Sequence, residues 1–198
     1  MKKIFIIQGF GGIPNGGWIS WIMQQFSKEK IYVCALPMPN PKNPVLSDWL
    51  EEISRAVNNT QDEDEIYIVG HSLGATTVLR YLESNPENKK ISGVVLVSGV
   101  ISPLDTENKE SNFRKLDSFL IPDIDLSKVK GKVGKIIVVH SKDDPIVPFW
   151  QGEEISKKLG CEFVATEKGG HFYILAEPVL YEFPELLKII KEVLHKNS

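Results

Sequence analysis

Glu65-Ile66-Tyr67-Ile68-Val69-Gly70-His71-Ser72-Leu73-Gly74-Ala75-Thr76-Thr77-Val78-Leu79-Arg80-Tyr81-Leu82 is the stretch whose reading decides the fold. Its first five residues form a short β-branched and aromatic run, the pattern of a strand covered on both faces. From Ser72 to Leu82, apolar residues such as Ala75, Val78, Leu79 and Leu82 recur at helical spacing. Between the two lies Gly70-His71-Ser72-Leu73-Gly74, a G-x-S-x-G pattern in the strand-turn-helix context that a nucleophile elbow requires. A serine that projects its hydroxyl from so sharp a turn needs a strained backbone, and glycines two positions away leave the room. The pattern alone is weak, since a serine that merely caps a helix satisfies it as well. Its position after a buried strand and before a helix favours the nucleophile.

Outward from this unit, the same alternation of strand and helix fills the chain. Strands are expected at Lys3 to Gln8, Ile31 to Leu36, Glu65 to Val69, Ile91 to Ser98, Val133 to Ser141 and Cys161 to Thr166. Amphipathic helices are expected at Trp18 to Phe26, Leu46 to Val57, Ser72 to Leu82 and Phe149 to Leu159. A last helix is opened by Pro184 and carries Leu186, Leu187, Ile190, Val193 and Leu194. The pattern predicts an α/β fold of about six parallel strands with helices on both faces. The 198 residues suit one domain over 1–198. Ile101 to Lys130, with Pro103 and Pro122, is longer than an ordinary connection and is expected to be a binding loop or small lid. The acid run Asp62-Glu63-Asp64-Glu65 reads as a solvated loop.

Composition narrows the function. Hydrophobic residues make up 42% and charged residues 25%, a globular balance that excludes a disordered chain. A net charge of -3 supplies no basic field for a phosphate backbone, so no nucleic-acid partner is expected. No stretch approaches the roughly 20 apolar residues of a membrane span. The apolar start Ile4-Phe5-Ile6-Ile7 is too short for a signal-peptide core. Cys34 and Cys161 each sit in an apolar run and read as small core residues, which leaves a cytoplasmic location as the expectation.

In a parallel sheet the loops leaving the carboxyl ends of the strands gather at one edge, where such folds bind ligands. A serine hydroxyl there needs a base to take its proton, and the base needs an orienting acid. Four histidines are available. His71 lies inside the elbow, His140 late in a strand and His195 in the last turn of the final helix, where a cation suits the helix dipole. Only His171 occupies a glycine-rich loop after the last strand, and it is the expected base. The acid is expected from His140-Ser141-Lys142-Asp143-Asp144-Pro145, which follows the fifth strand. Asp143 and Asp144 both qualify by position, with Asp105 as an outside candidate; consecutive residues in extended backbone point opposite ways, so only one reaches the imidazole. The restriction imposed by Pro145 favours Asp144, which leaves Asp143 to face solvent or the loop from Ile101 to Lys130. The order Ser, Asp, His is that of α/β hydrolases. Backbone amides of Leu73 and of Phe10, in Gln8-Gly9-Phe10-Gly11-Gly12, are expected to form an oxyanion hole. A dinucleotide loop is the rival reading of those glycines, but its third glycine position holds Pro14, and the second strand ends Leu36-Pro37 without an acid.

Taken together, the glycine loop followed by Trp18-Ile19-Ser20-Trp21, then Pro37-Met38-Pro39-Asn40-Pro41, Gly70-His71-Ser72, Val95-Leu96-Val97-Ser98, Asp143-Asp144-Pro145 and Gly170-His171-Phe172 resemble one family over essentially the whole chain. It is the small serine-hydrolase family of retinoblastoma-binding protein nine and its bacterial relatives. The resemblance implies a reduced α/β-hydrolase sheet lacking the first two antiparallel strands, a minimal cap, and catalytic roles for Ser72, Asp144 and His171. It also implies Asp144 rather than Asp143 as the acid. The retinoblastoma-binding property is not implied, because neither cysteine sits in a Leu-x-Cys-x-Glu pattern.

The expected reaction is hydrolysis of a small carboxylic ester or related acyl compound through an acyl-Ser72 intermediate, with no cofactor and no metal. Trp18, Trp21, Phe113, Trp150 and Phe172, with Phe10, are candidates to line an apolar acyl pocket. A binding or regulatory protein on a hydrolase scaffold, contacting a protein partner and turning over little, is the alternative. Dehalogenase or epoxide-hydrolase chemistry is disfavoured, because it needs a carboxylate where this chain has Ser72.

Overall fold

The computed structural model describes residues 1–84, 89–104, 115–172 and 180–195. Six strands, β1 (Lys2–Ile7), β2 (Tyr32–Ala35), β3 (Glu65–His71), β4 (Ile91–Val97), β5 (Val133–Ser141) and β6 (Glu162–Thr166), form one sheet in the order β2-β1-β3-β4-β5-β6. Every neighbouring pair is parallel. The helices are α1 (Trp18–Lys28), α2 (Leu46–Asn58), α3 (Leu73–Ser84), the single turn α4 (Asp117–Leu120), α5 (Phe149–Leu159) and α6 (Pro184–His195).

Side chains alternate along each strand, and because both faces are covered the two alternating sets build two cores. Phe5, Ile7, Ile66, Ile68, Val94, Leu96 and Val138 pack beneath α2, α3, α4 and α5. Ile4, Ile6, Tyr67, Val69, Val95, Val97, Ile137 and Val139 pack beneath α1 and α6. This double coverage explains why Val94-Val95-Leu96-Val97 of β4 reads as a continuous apolar run rather than an alternating one. Cys34 and Cys161 are unpaired and half-buried beside the first of these cores.

Two expectations change. Asp64 of the acid run is not merely solvated: its carboxylate accepts the Met1 ammonium at 2.8 Å and the Lys3 Nζ at 2.7 Å, tying the starts of β1 and β3 together. In the segment from Ile101 to Lys130, the described residues 115–130 do not form a lid. Leu116, Phe119, Leu120, Leu126 and Val129 are buried in the core under α2 and α3, and Arg80 Nε donates to the Phe119 carbonyl at 2.8 Å.

The path of the chain positions the site. It runs out from β1 to β2, then returns across β1 to β3, so the loops after β1 and β3 leave the sheet in diverging directions and open a crevice between them. Trp49 of α2 anchors one wall. It is fully buried, meets Phe119 edge-on at 5.6 Å and donates its Nε1 to the Pro39 carbonyl at 2.7 Å. Trp49→Ala is expected to cost about 3–5 kcal/mol through the cavity it opens, read as a lowered urea midpoint at unchanged m.

Candidate active site

Ser72 joins β3 to α3 with φ 54°, a left-handed conformation that is costly for a residue with a side chain. The glycines around it make this turn possible. A Cβ on Gly70 would lie 2.6 Å from the Ala75 Cα, and a Cβ on Gly74 would lie 2.6 Å from the Gln8 carbonyl oxygen and closer still to that of Ile7. The first turn of α3 therefore rests directly on the end of β1. Ser72 N donates to the Val97 carbonyl at 2.8 Å, which also locks the turn to β4.

His171 lies beyond β6 and reaches back to this turn. Its Nε2 is 2.9 Å from Ser72 Oγ, and its Nδ1 is 2.9 Å from Asp144 Oδ2 and 3.1 Å from Oδ1. A carboxylate only accepts, so Nδ1 carries a proton, and in the neutral imidazole Nε2 is then the acceptor facing the serine hydroxyl. The Asp144 carboxylate is fully buried, and its Oδ1 also accepts the amides of Ile146 at 2.9 Å and Val147 at 3.0 Å. Burial pushes its pKa up, but the bond and charge of His171 and those two amides outweigh this, and the carboxyl titrates below its ordinary value. Ser72 is only 9% exposed and His171 6%, so the pair is shielded from bulk water.

Asp143 turns elsewhere, though not to solvent or the loop from Ile101 to Lys130 as expected. Its Oδ1 accepts the Ser141 hydroxyl and the Gly170 amide, the latter at 2.8 Å, so it grips the histidine loop instead. These bonds hold its carboxyl below the ordinary value. Asp105 lies outside the described residues.

The other buried histidines have distinct surroundings. His140 Nε2 is 3.0 Å from the Val147 carbonyl and 3.5 Å from Asp144 Oδ2, and burial lowers its pKa. His71 Nε2 is 2.7 Å from the His171 carbonyl, and burial together with the neighbouring His171 lowers the His71 pKa to about 3. Sequence reasoning missed this contact, because nothing in the elbow pattern points its second residue at a loop 100 positions away.

The proposed oxyanion donors occupy suitable ground. Gly9 lies against the serine: a Cβ there would come 2.8 Å from Ser72 Cβ and 3.3 Å from Oγ. Phe10 follows it in a turn closed by Gly12 N donating to the Gly9 carbonyl at 3.1 Å, and the turn is anchored by Gly11 N on the Pro41 carbonyl at 2.7 Å. Leu73 opens α3, where the first amides have no intrahelical acceptor.

The pocket expectation needs correction. Trp18 and Phe172 are each 1% exposed and belong to the core between the sheet and α1 and α6. Phe172 stacks on Phe183 at 4.8 Å, and Trp18 meets Phe183 edge-on at 6.1 Å. Apolar linings and apolar cores draw on the same residue types, so sequence could not separate them. Trp21 is half-buried against the same core and Phe10 against the other, whereas Trp150 is exposed on α5. Phe113 lies outside the described residues.

A sequence model of the family described as serine hydrolase matches residues 4–191. The chain belongs to that family. YdeN of Bacillus subtilis is 31% identical to this serine hydrolase over 185 residues, 91% of this chain and 93% of YdeN. Serine hydrolase RBBP9 of Rattus norvegicus is 27% identical over 195 residues, 97% of this chain and 95% of its own. The crystal structure of YdeN superposes with a TM-score of 0.86 at 27% identity, covering 99% of this chain and 100% of that one. Alpha/beta hydrolase domain-containing protein 10 from mouse, at 14% identity, shares the fold with a TM-score of 0.72 over 99% of this chain and 90% of its own. The resemblance read from the sequence and the α/β-hydrolase fold both stand.

The buried histidines make the stability of this serine hydrolase sensitive to acid. Unfolded, the His71 imidazole takes up a proton as pH falls below about 6.5; folded, it stays neutral down to about 3. Its stabilising share is therefore complete above the first value and lost progressively toward the second, and His140 acts in the same direction. A urea midpoint that declines from pH 6.5 to 5, above the ordinary carboxylate range of about 4, is the expected outcome. A flat midpoint across that window contradicts two neutral buried imidazoles.

Proposed function

We propose that this serine hydrolase cleaves a small carboxylic ester or related acyl substrate through an acyl-Ser72 intermediate. The observation that carries the reading is the unbroken hydrogen-bonded chain from Ser72 Oγ through His171 to the buried Asp144 carboxylate. As Oγ attacks the substrate carbonyl carbon, its proton moves to His171 Nε2 and the carbonyl electrons move onto oxygen. Asp144 keeps the proton on Nδ1 and stabilises the imidazolium that forms, which requires it to be ionised. Its lowered pKa is consistent with that role. The amides of Phe10 and Leu73 receive the oxyanion. When the tetrahedral adduct collapses, the bond to the leaving oxygen breaks and His171 returns the proton to it. Water, deprotonated by the same Nε2, then attacks the acyl carbon; as this second adduct collapses the carbon–Oγ bond breaks, Nε2 returns the proton to Oγ, and the carboxylic acid leaves free Ser72.

A fluorophosphonate probe is expected to label Ser72, with the adduct located by peptide mass spectrometry and absent from Ser72→Ala. Labelling that survives that substitution would remove the nucleophile. On one activated ester, Asp144→Asn is expected to lower kcat by about 10⁴-fold, as in other serine triads, because the amide favours the wrong histidine tautomer. Asp143→Asn should cost far less, since its remaining oxygen still accepts from the Gly170 amide. Equal thermal stability of the two variants makes the comparison clean, and a crippled Asp143→Asn would transfer the acid role by one residue. Among the described residues no group of three or more His, Cys, Asp or Glu side chains is placed to hold a metal ion. Exhaustive chelation should accordingly leave kcat/KM unchanged, and loss with rescue by zinc would contradict the mechanism.

A further inference from the structure

We propose that His71, the residue before Ser72, is a positioning residue that holds His171 in register with the serine by donating its Nε2 proton to the His171 carbonyl. This inference rests on the reading of Ser72 and His171 as a catalytic pair and concerns how that pair is kept together.

The loop that carries His171 is poorly placed to hold itself. Gly170 and Phe172, on either side of the histidine, have φ of 53° and 50°, and the latter conformation is strained for a residue with a side chain. Among the described residues, one local backbone bond crosses the turn, from Phe172 N to the Gly169 carbonyl at 3.0 Å. Among the described residues, side chains of three distant segments add restraint, one to each of three consecutive residues. Asp143 Oδ1, beyond β5, accepts the Gly170 amide at 2.8 Å. His71 Nε2, from β3, contacts the His171 carbonyl at 2.7 Å. Trp18 Nε1, from α1, donates to the Phe172 carbonyl at 2.7 Å.

Of the three, His71 has a property the others lack. It is covalently adjacent to Ser72, so its bond fixes the base relative to the serine through a single peptide unit. The His171 imidazole and the His71 imidazole lie 5.0 Å apart, and the Ser72–His171 contact of 2.9 Å sits beside that pairing. A backbone carbonyl only accepts, so the bond requires a proton on Nε2. Burial is the largest influence on His71, and among the described titratable groups His171 and His140 lower its pKa while Asp144 raises it. Together they leave His71 uncharged at working pH, so it adds no positive charge next to the imidazolium that His171 becomes. Trp18 supports the arrangement from behind, meeting His71 edge-on at 6.1 Å.

The test separates the donor from mere bulk. His71→Phe keeps an aromatic ring and removes the donor; His71→Gln keeps an amide N–H able to reach the same carbonyl. On an activated ester, His71→Phe is expected to lower kcat by roughly 10- to 100-fold, the scale of an ångström-sized misplacement. KM should change by no more than about twofold, because the lost bond does not touch substrate. His71→Gln should recover most of the lost kcat. Nitrogen-15 NMR of the unsubstituted protein between pH 5 and 8 should show His71 neutral with its proton on Nε2, a readout that stands even if a variant fails to fold. Activity of both variants equal to the starting protein overturns the proposal. So does equal loss in both at native thermal stability, since the donor would then be irrelevant, and so does an Nδ1-protonated or charged His71. Ser72→Ala, assayed alongside, isolates the underlying reading: if it retains activity, the catalytic pair itself is wrong, whatever His71 does.

Discussion

The first turn of α3 lies directly on the end of β1, and the rest of the site depends on that contact. Gly74 approaches the Ile7 and Gln8 carbonyls so closely that any side chain would force them apart. The same approach pulls Gly9 against Ser72 and thereby brings the Phe10 loop beside the serine. In a parallel sheet whose order reverses between β1 and β3, this is where two loops leave in opposite directions. The glycines let backbone, rather than side chains, form the wall of the crevice.

Around this wall, burial assigns different work to chemically similar groups. Two adjacent carboxylates, Asp143 and Asp144, diverge because the first is exposed and takes the Gly170 amide, while the second is buried and takes the His171 ring. Three histidines share one neighbourhood. His71 and His140 each face a carbonyl and are kept neutral by burial, whereas His171 alone faces both an acid and a hydroxyl. A buried polar group is costly unless its bonds are made, so these partners hold backbone as firmly as they tune charge. Asp144 illustrates both effects, since the Val147 amide that it accepts belongs to the same residue whose carbonyl His140 contacts.

Some of this was legible in the sequence, for identifiable reasons. The strands were readable because a doubly covered sheet demands unbroken apolar runs, and α3 because its spacing follows directly on the glycine pattern. The segment 115–130 was read as part of a binding loop or small lid because its buried residues are spread around Pro122 and several acids without a period. Trp18 and Phe172 were misread as pocket lining because an aromatic ring carries no mark of which side of the sheet it will fill. Asp64 was misread as solvated because its partners, Met1 and Lys3, lie in a different strand segment, Met1 being 63 positions away.

By itself, the sequence determined the six parallel strands, the five longer helices, the family and the set of residues capable of the chemistry. The elements and the candidate residues follow from local periodicity and from glycines whose conformational freedom has no substitute, the family from a resemblance carried by several motifs together. Tertiary structure alone decided where Asp143 turns, what His71 and His140 touch, and which aromatics are core. Each of those outcomes is a contact between segments far apart in the chain, set by how the β1, β3, β5 and β6 ends converge at one edge of the sheet.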